Sequence, residues 1–200
     1  MKVIDDFLPP AQFDMLQQAI MSLHFPWFYV DSASVPPEDQ HFTQDKTAIE
    51  TDGFFHILYD RETDTTSFAH QLLDNFYQQL SSRLGFTHRH LIRSRLGMKL
   101  PKVGFTKDNY NIPHVDYRFP HETLIYYIND CDGDTFMFNE WFNMLHPEKS
   151  MNGKETYTVQ ERITPKANRL VWFNGFQSHT ASNPIESSRR IIINVNLEPL

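Results

Sequence analysis

Apolar positions change their period once along this chain, recurring at helical spacing up to about residue 90 and alternating beyond it. After an extended opening from Lys2 to Phe7, Pro9-Pro10 can start a helix whose Phe13, Leu16, Ile20 and Leu23 share one face. A second helix is marked by Thr65, Thr66 and Ser67 as caps, by Phe68, Leu72, Phe76 and Leu80 at every fourth position, and by Gly85 at its end. Residues 29–64 lie between the two helices, rich in Asp, Pro, Ser and Thr around Phe54-Phe55, and read as a long functional or mobile loop.

From about residue 91 onward, short runs of Ile, Val, Phe, Tyr and Thr alternate with turn signals. Asp132-Gly133 separates residues 123–129 from 135–138, and Asn174-Gly175 separates 169–173 from 177–181, each as a hairpin would. Helices followed by seven or eight antiparallel strands predict an α+β protein with a jelly-roll core backed by its N-terminal helices. The final run splits cleanly by alternation: Ile191, Ile193, Val195 and Leu197 form a dry face, while Arg190, Ile192, Asn194 and Asn196 form a polar one. Either the polar face meets water, or it looks into a barrel that holds a charged ligand.

Composition narrows the class. With 200 residues, 40% of them hydrophobic and 17 of them Phe, the chain can bury a core without staples. No repeat or linker appears, so residues 1–200 are expected to form one domain, with 1–90 as helical support and loops and 91–200 as the core. A lone Cys131 and a start without the apolar run of a signal peptide point to the reducing cytoplasm. No apolar stretch is long enough to span a membrane, and 25 acidic against 18 basic residues disfavour non-specific nucleic-acid binding.

Gly-rich phosphate loops, Gly-x-Ser-x-Gly elbows and Cys-x-x-Cys pairs are missing, which leaves histidine as the lead. The chain holds one His-x-Asp, His114-Val115-Asp116. On an extended backbone residues i and i+2 point the same way, roughly 7 Å apart, so both side chains can meet one metal ion. His179, just after the Asn174-Gly175 turn, is the natural third ligand. Two His and one carboxylate suit mononuclear non-haem Fe(II) with open positions, whereas zinc is more often four-coordinate. Such a centre carries about +1, a bound dicarboxylate brings it to about −1, and one inward Arg restores neutrality while gripping a carboxylate bidentately. Other histidines read as bland: His146-Pro147-Glu148 as a surface loop and His88-Arg89-His90 as a solvated connection.

These residues resemble a family. Tyr110-x-x-x-His114-Val115-Asp116, the strand Thr123 to Asn129, Gly133-Asp134-Thr135, the run Asn168 to Phe173, His179 and Arg190 together look like the 2-oxoglutarate/Fe(II)-dependent dioxygenases, the prolyl 4-hydroxylase-like branch in particular. The resemblance covers about residues 91–197. It implies a double-stranded β-helix with His114, Asp116 and His179 as catalytic iron ligands, Arg190 as anchor of the distal carboxylate of 2-oxoglutarate, Tyr127 assisting it, and Tyr110 near the pocket. It further implies O2 as co-reactant, ascorbate as a supporting reductant, and a C–H hydroxylation that releases succinate and CO2. The substrate would be a small molecule or a peptide or protein side chain, peptidyl proline first.

Three departures stand out. Related enzymes often carry Ser or Thr two residues after the anchoring Arg, where this chain has Ile192; a Gly-Gly is replaced by Gly133-Asp134; and Arg189 adjoins Arg190, which alternation favours as the inward one. Two rival classes remain, a non-catalytic jelly-roll binding module and a cupin-like metal enzyme that does not use 2-oxoglutarate. The segment from Asn139 to Glu155 and the Phe54-Phe55 region are candidate covers over a substrate.

Overall fold

The computed structural model describes residues 1–34, 45–145 and 157–199. Its strands are β1 (Lys2–Ile4), β2 (Phe28–Val30), β3 (Gly53–Asp60), β4 (Thr65–Thr66), β5 (Leu91–Lys99), β6 (Glu122–Tyr127), β7 (Thr135–Trp141), β8 (Val159–Ile163), β9 (Leu170–Asn174), β10 (Gln177–Ala181) and β11 (Arg190–Leu197), and its α-helices are α1 (Pro10–Met21) and α2 (Asp74–Leu84). The larger sheet runs β1-β9-β6-β11-β5-β3-β2, with β4 on β3; the smaller runs β10-β7-β8. A single bridge between His114 and His179 adds a fourth line to the smaller sheet. Four lines of each sheet, β5-β11-β6-β9 against residue 114-β10-β7-β8, make the eight-stranded jelly roll, and β1, β2, β3 and β4 widen the larger sheet.

Both Asx-Gly turns are corners between the sheets and not hairpins. β6 lies in the larger sheet and β7 in the smaller; β9 and β10 are divided the same way. Glycine is needed at the first corner for proximity. A Cβ on Gly133 would lie 2.8 Å from the Ser182 carbonyl oxygen, 2.9 Å from the Pro184 nitrogen and 3.1 Å from the Cδ of Arg190.

Alternation along β11 sorts its side chains as expected. Ile191, Ile193, Val195 and Leu197 join the helix-covered core with Phe13, Leu16, Ile20, Phe76 and Leu80. Each such fully buried side chain contributes roughly 1.5–3 kcal/mol relative to exposure. Asn168, in the left-handed region at φ 64°, ties the N-terminal segment onto this core. Its side-chain oxygen accepts from the Leu8 amide at 2.8 Å and the Tyr126 hydroxyl at 2.6 Å.

The helical readings need two adjustments. α1 stops at Met21, which leaves Leu23 fully exposed. The second helix opens as a 3-10 turn, Phe68–Leu73, capped by Ser67, before the α-helix proper ends on Gly85 at φ 72°. The residues buried along this 3-10 segment are Ala69 and Leu73, and Phe68 is 74% exposed. The region 29–64, expected to be one loop, supplies the sheet-widening β3 and part of β2; residues 35–44 lie outside the described residues.

Candidate metal centre and its cavity

The polar side of the larger sheet forms a cavity floor in ordered rungs. β5 and β11 are antiparallel, pairing Arg190 with Lys99, Ile192 with Gly97, Asn194 with Arg95 and Asn196 with Arg93. β6 continues the rungs with Tyr127 opposite Ile192, Ile125 opposite Asn194 and Thr123 opposite Asn196. Successive rungs are two residues apart, roughly 6.7 Å.

The smaller sheet brings the predicted ligands over this floor. His114 and His179 exchange both backbone hydrogen bonds at 3.0 Å, and the ligand atoms of His114, Asp116 and His179 lie within 4.8 Å of one another. Each imidazole is oriented by its own main chain: Nδ1 of His114 lies 3.0 Å from the Ile112 carbonyl oxygen, and Nδ1 of His179 lies 3.1 Å from that of Gln177. A carbonyl can only accept, so Nδ1 carries the hydrogen and the Nε2 lone pair is left for a metal. Burial, followed by the neighbouring His179 ring, pushes His114 down to about 4, and burial lowers His179 as well. Both rings are neutral donors at pH 7.

Burial acts to raise the Asp116 carboxyl, but the His179 ring and the guanidinium groups of Arg93 and Arg95 outweigh it and hold it well below its usual range. Oδ1 accepts from Arg93 Nη2 at 3.2 Å. Oδ2 accepts from Asn196 at 2.8 Å and from Asn194 and Thr123 at 3.3 Å. Two neutral imidazoles and one fixed carboxylate, each supported from behind, fit a divalent iron; among the described residues no other cluster of this kind occurs.

At the opposite end of the cavity sits Arg190, 3% exposed, as alternation requires, while Arg189 is half-buried. Arg190 donates through Nε to the Gly133 carbonyl and through Nη2 to Thr135 Oγ1, both at 2.8 Å. The Tyr127 hydroxyl lies 2.7 Å from that same Thr135 oxygen. Thr135 and Tyr127 thus supply the hydroxyls at a site where Ile192 cannot; Ile192 forms an apolar middle rung.

Directly across from Arg190, Lys99 is 7% exposed and donates to Thr51 Oγ1 and Asn111 Oδ1 at 2.9 Å. Burial, partly offset by the Glu50 carboxylate, pushes its ammonium down to about 7. Neither cation has a carboxylate partner among the described residues. Like charges facing across a ladder are unfavourable, and uncompensated buried charge is more so. The pair is arranged for an anion.

Tyr110, expected near the pocket, packs with Phe136 and Phe138, and its hydroxyl donates to Asp45 at 2.6 Å. The residues missed on the sequence were Arg93, Arg95 and Lys99, although their alternation with Gly97 across β5 is the same signal that exposed β11. Phe54-Phe55 lies on β3 and not on a loop, with Phe55 lining the cavity. His146-Pro147-Glu148 and most of the 139–155 cover fall outside the described residues.

No family model and no curated protein matches the sequence. Solved structures do match. The chain superposes on the non-haem α-ketoglutarate-dependent epimerase SnoN from nogalamycin biosynthesis with a TM-score of 0.59 at 12% identity, covering 98% of this chain and 77% of that one. For a prolyl hydroxylase from Trichoplax adhaerens, in complex with a hypoxia-inducible-factor degradation-domain peptide, the TM-score is 0.53 at 15% identity, with 98% and 83% covered. A 2OG-Fe(II) oxygenase family oxidoreductase from Burkholderia pseudomallei gives 0.52 at 13% identity, with 94% and 78% covered. The chain therefore has the jelly-roll fold of the 2-oxoglutarate/Fe(II) oxygenases.

Proposed function

We propose that this protein is a mononuclear Fe(II), 2-oxoglutarate-dependent oxygenase that hydroxylates an unactivated C–H bond. The carrying observation is that two features share one cavity: a His-Asp-His donor set, its Asp116 bonded by Asn194 and Asn196 of β11, and, farther along the same strand, a pair of buried cations lacking a carboxylate at the Arg190–Lys99 rung. That layout suits a keto-diacid, with metal ligands toward one end and cations at the other. It also speaks against a cupin-like enzyme that uses no such cosubstrate, since nothing else in the site calls for Arg190 and Lys99.

When bound, iron with 2-oxoglutarate and O2 supplies the oxidising power, with release of succinate and CO2. The chain's own residues hold and shield. His114 and His179 present Nε2, and Asp116 stays ionised because Arg93, Asn194, Asn196 and Thr123 bond its oxygens. Arg190 offers its fork to the distal carboxylate, with Thr135 and Tyr127 beside it and Lys99 opposite. Ile125 and Ile192 give the methylene carbons an apolar wall.

Peptidyl proline is one substrate consistent with this reading, supported by the likeness to a prolyl hydroxylase; the likeness to an epimerase of nogalamycin biosynthesis supports a small molecule equally. Anaerobic addition of Fe(II) and 2-oxoglutarate should give a visible charge-transfer band, and succinate should accumulate once air and ascorbate are admitted. Absence of the band and of metal-dependent 2-oxoglutarate binding would leave a jelly-roll binding module instead.

A further inference from the structure

Arg95 helps hold Asp116 ionised from 3.9 Å away, but its own donors are not used up by that. Arg93, two residues earlier, is committed to Asp116 at 3.2 Å and Asn196 at 3.1 Å, and Lys99 is tied to Thr51 and Asn111 at the cavity floor. The Arg95 guanidinium makes no hydrogen bond among the described residues, and its nearest carboxylate oxygen, on Asp116, is 3.9 Å away. It is nonetheless held in place, stacked 4.4 Å over the Phe55 ring with its side chain 19% exposed. A planar, pre-positioned donor with nothing to donate to marks a place for an oxyanion.

Its surroundings define what that oxyanion is attached to. Arg95 and Phe55 line both the metal cavity and an adjoining hollow on the outer part of the larger sheet, formed with Phe28, Val30, Ile57 and Phe68. Three of those apolar side chains are solvent-exposed: Phe28 at 61%, Phe68 at 74% and Ile57 at 41%. Scattered exposed apolar residues need no explanation, but several around one hollow beside a guanidinium without a hydrogen bond do.

Around the cavity and the hollow stand Arg93, Arg95, Lys99 and Arg190 against Asp116 and Asp60. Fe(II) and a dianionic cosubstrate cancel one another, so a further anion is still favoured.

We propose that the hollow is the primary-substrate site and that it takes a small carboxylic acid with an apolar body. The carboxylate meets Arg95, and the body lies against Phe28, Ile57 and Phe68 with a C–H directed toward the metal cavity. The inference rests on the oxygenase reading and refines its substrate class.

Calorimetric titration of the full chain, loaded with Mn(II) and 2-oxoglutarate, with 4-phenylbutyrate and its neutral amide provides the test. A charge-assisted pair contributes about 1.5–3 kcal/mol, so the acid should bind at least roughly tenfold more tightly than the amide. Arg95→Met should abolish that preference in a chain that still binds Mn(II) and 2-oxoglutarate. Phe68→Asp, an exposed change remote from the metal ligands, should weaken the acid tenfold or more in a chain that still binds 2-oxoglutarate.

Equal affinity for acid and amide, no binding of either at millimolar concentration, or binding of an acidic peptide but not of 4-phenylbutyrate would overturn the assignment. So would an Arg95→Met variant that loses 2-oxoglutarate instead of the probe, since Arg95 would then serve the cosubstrate. Loading with Mn(II) and 2-oxoglutarate is measured first, so failure of the oxygenase reading appears there, before any probe is added.

Discussion

Replacing Arg190 by Leu removes the cation that is assigned to the distal carboxylate while keeping an apolar stem. Two charge-assisted hydrogen bonds at the low end of about 1.5 kcal/mol each give about 3 kcal/mol, or roughly a hundredfold in affinity. Lys99, still on the same rung, limits the loss to that order. The variant also strips the Gly133 carbonyl of its donor, a cost of about 1–3 kcal/mol, but relieves an uncompensated buried charge of comparable weight. Stability should therefore change little. The assay is anaerobic titration of the Mn(II)-loaded protein with 2-oxoglutarate and with 2-oxobutyrate, which lacks only the distal carboxylate. Affinity for 2-oxoglutarate should fall about a hundredfold and that for 2-oxobutyrate should hold. An equal loss for both ligands would mean that the cavity has been disturbed, and no loss for either would move the anchor to Arg189 or elsewhere; both results refute the assignment.

Lys99→Met should flatten the pH dependence of 2-oxoglutarate binding. In the free protein its ammonium titrates near 7, and a bound carboxylate raises that value, so wild-type affinity should decline as pH climbs above about 7; Glu50, Asp52, Arg95 and Arg190 are the charged groups around it. Because its folded value lies below that of the unfolded chain, burying the charged lysine costs stability fully below pH 7, and denaturant titrations should show the Met variant's advantage shrinking as pH rises. His114→Ala should abolish the several-degree rise in Tm that Mn(II) gives the wild type, as expected for about 2.7 kcal/mol at a hundredfold excess over Kd; a preserved rise would remove His114 from the ligand set. Gly133→Ala should destabilise by about 1–3 kcal/mol and weaken 2-oxoglutarate binding, since the new methyl presses on the Ser182 and Pro184 backbone and the Arg190 stem; an unchanged Tm would show that the corner has slack.

What could be read from the chain followed the period-two pattern. Along β11 alternation alone separated the core-facing Ile191, Ile193 and Val195 from the cavity-facing Arg190 and Asn194, and the same argument picked Arg190 over Arg189. The bringing together of His179 with the 114/116 pair depends on a contact across 65 residues of chain, which the resemblance supplied and spacing could not. Other features were hidden for physical reasons. A sheet-changing corner and a hairpin use the same Asx-Gly chemistry, so Asp132-Gly133 and Asn174-Gly175 gave the strands but not their pairing. The 3-10 start of the second helix turned Phe68 outward, and only tertiary packing distinguishes that from a continued α-helix. Tyr110 carried a position that fitted the pattern, yet its hydroxyl finds Asp45, 65 residues earlier in the chain.

The β5–β11 ladder is in effect a ruler. The distance between the Asn194–Arg95 rung and the Arg190–Lys99 rung is fixed by backbone repeat, not by any side chain that drift could trim. If Arg190 anchors the far carboxylate of the proposed keto-diacid, that spacing sets which chain length is preferred. Relaxing that length preference would require slipping the strand register, which by the same alternation would turn Arg190 into the hydrophobic core.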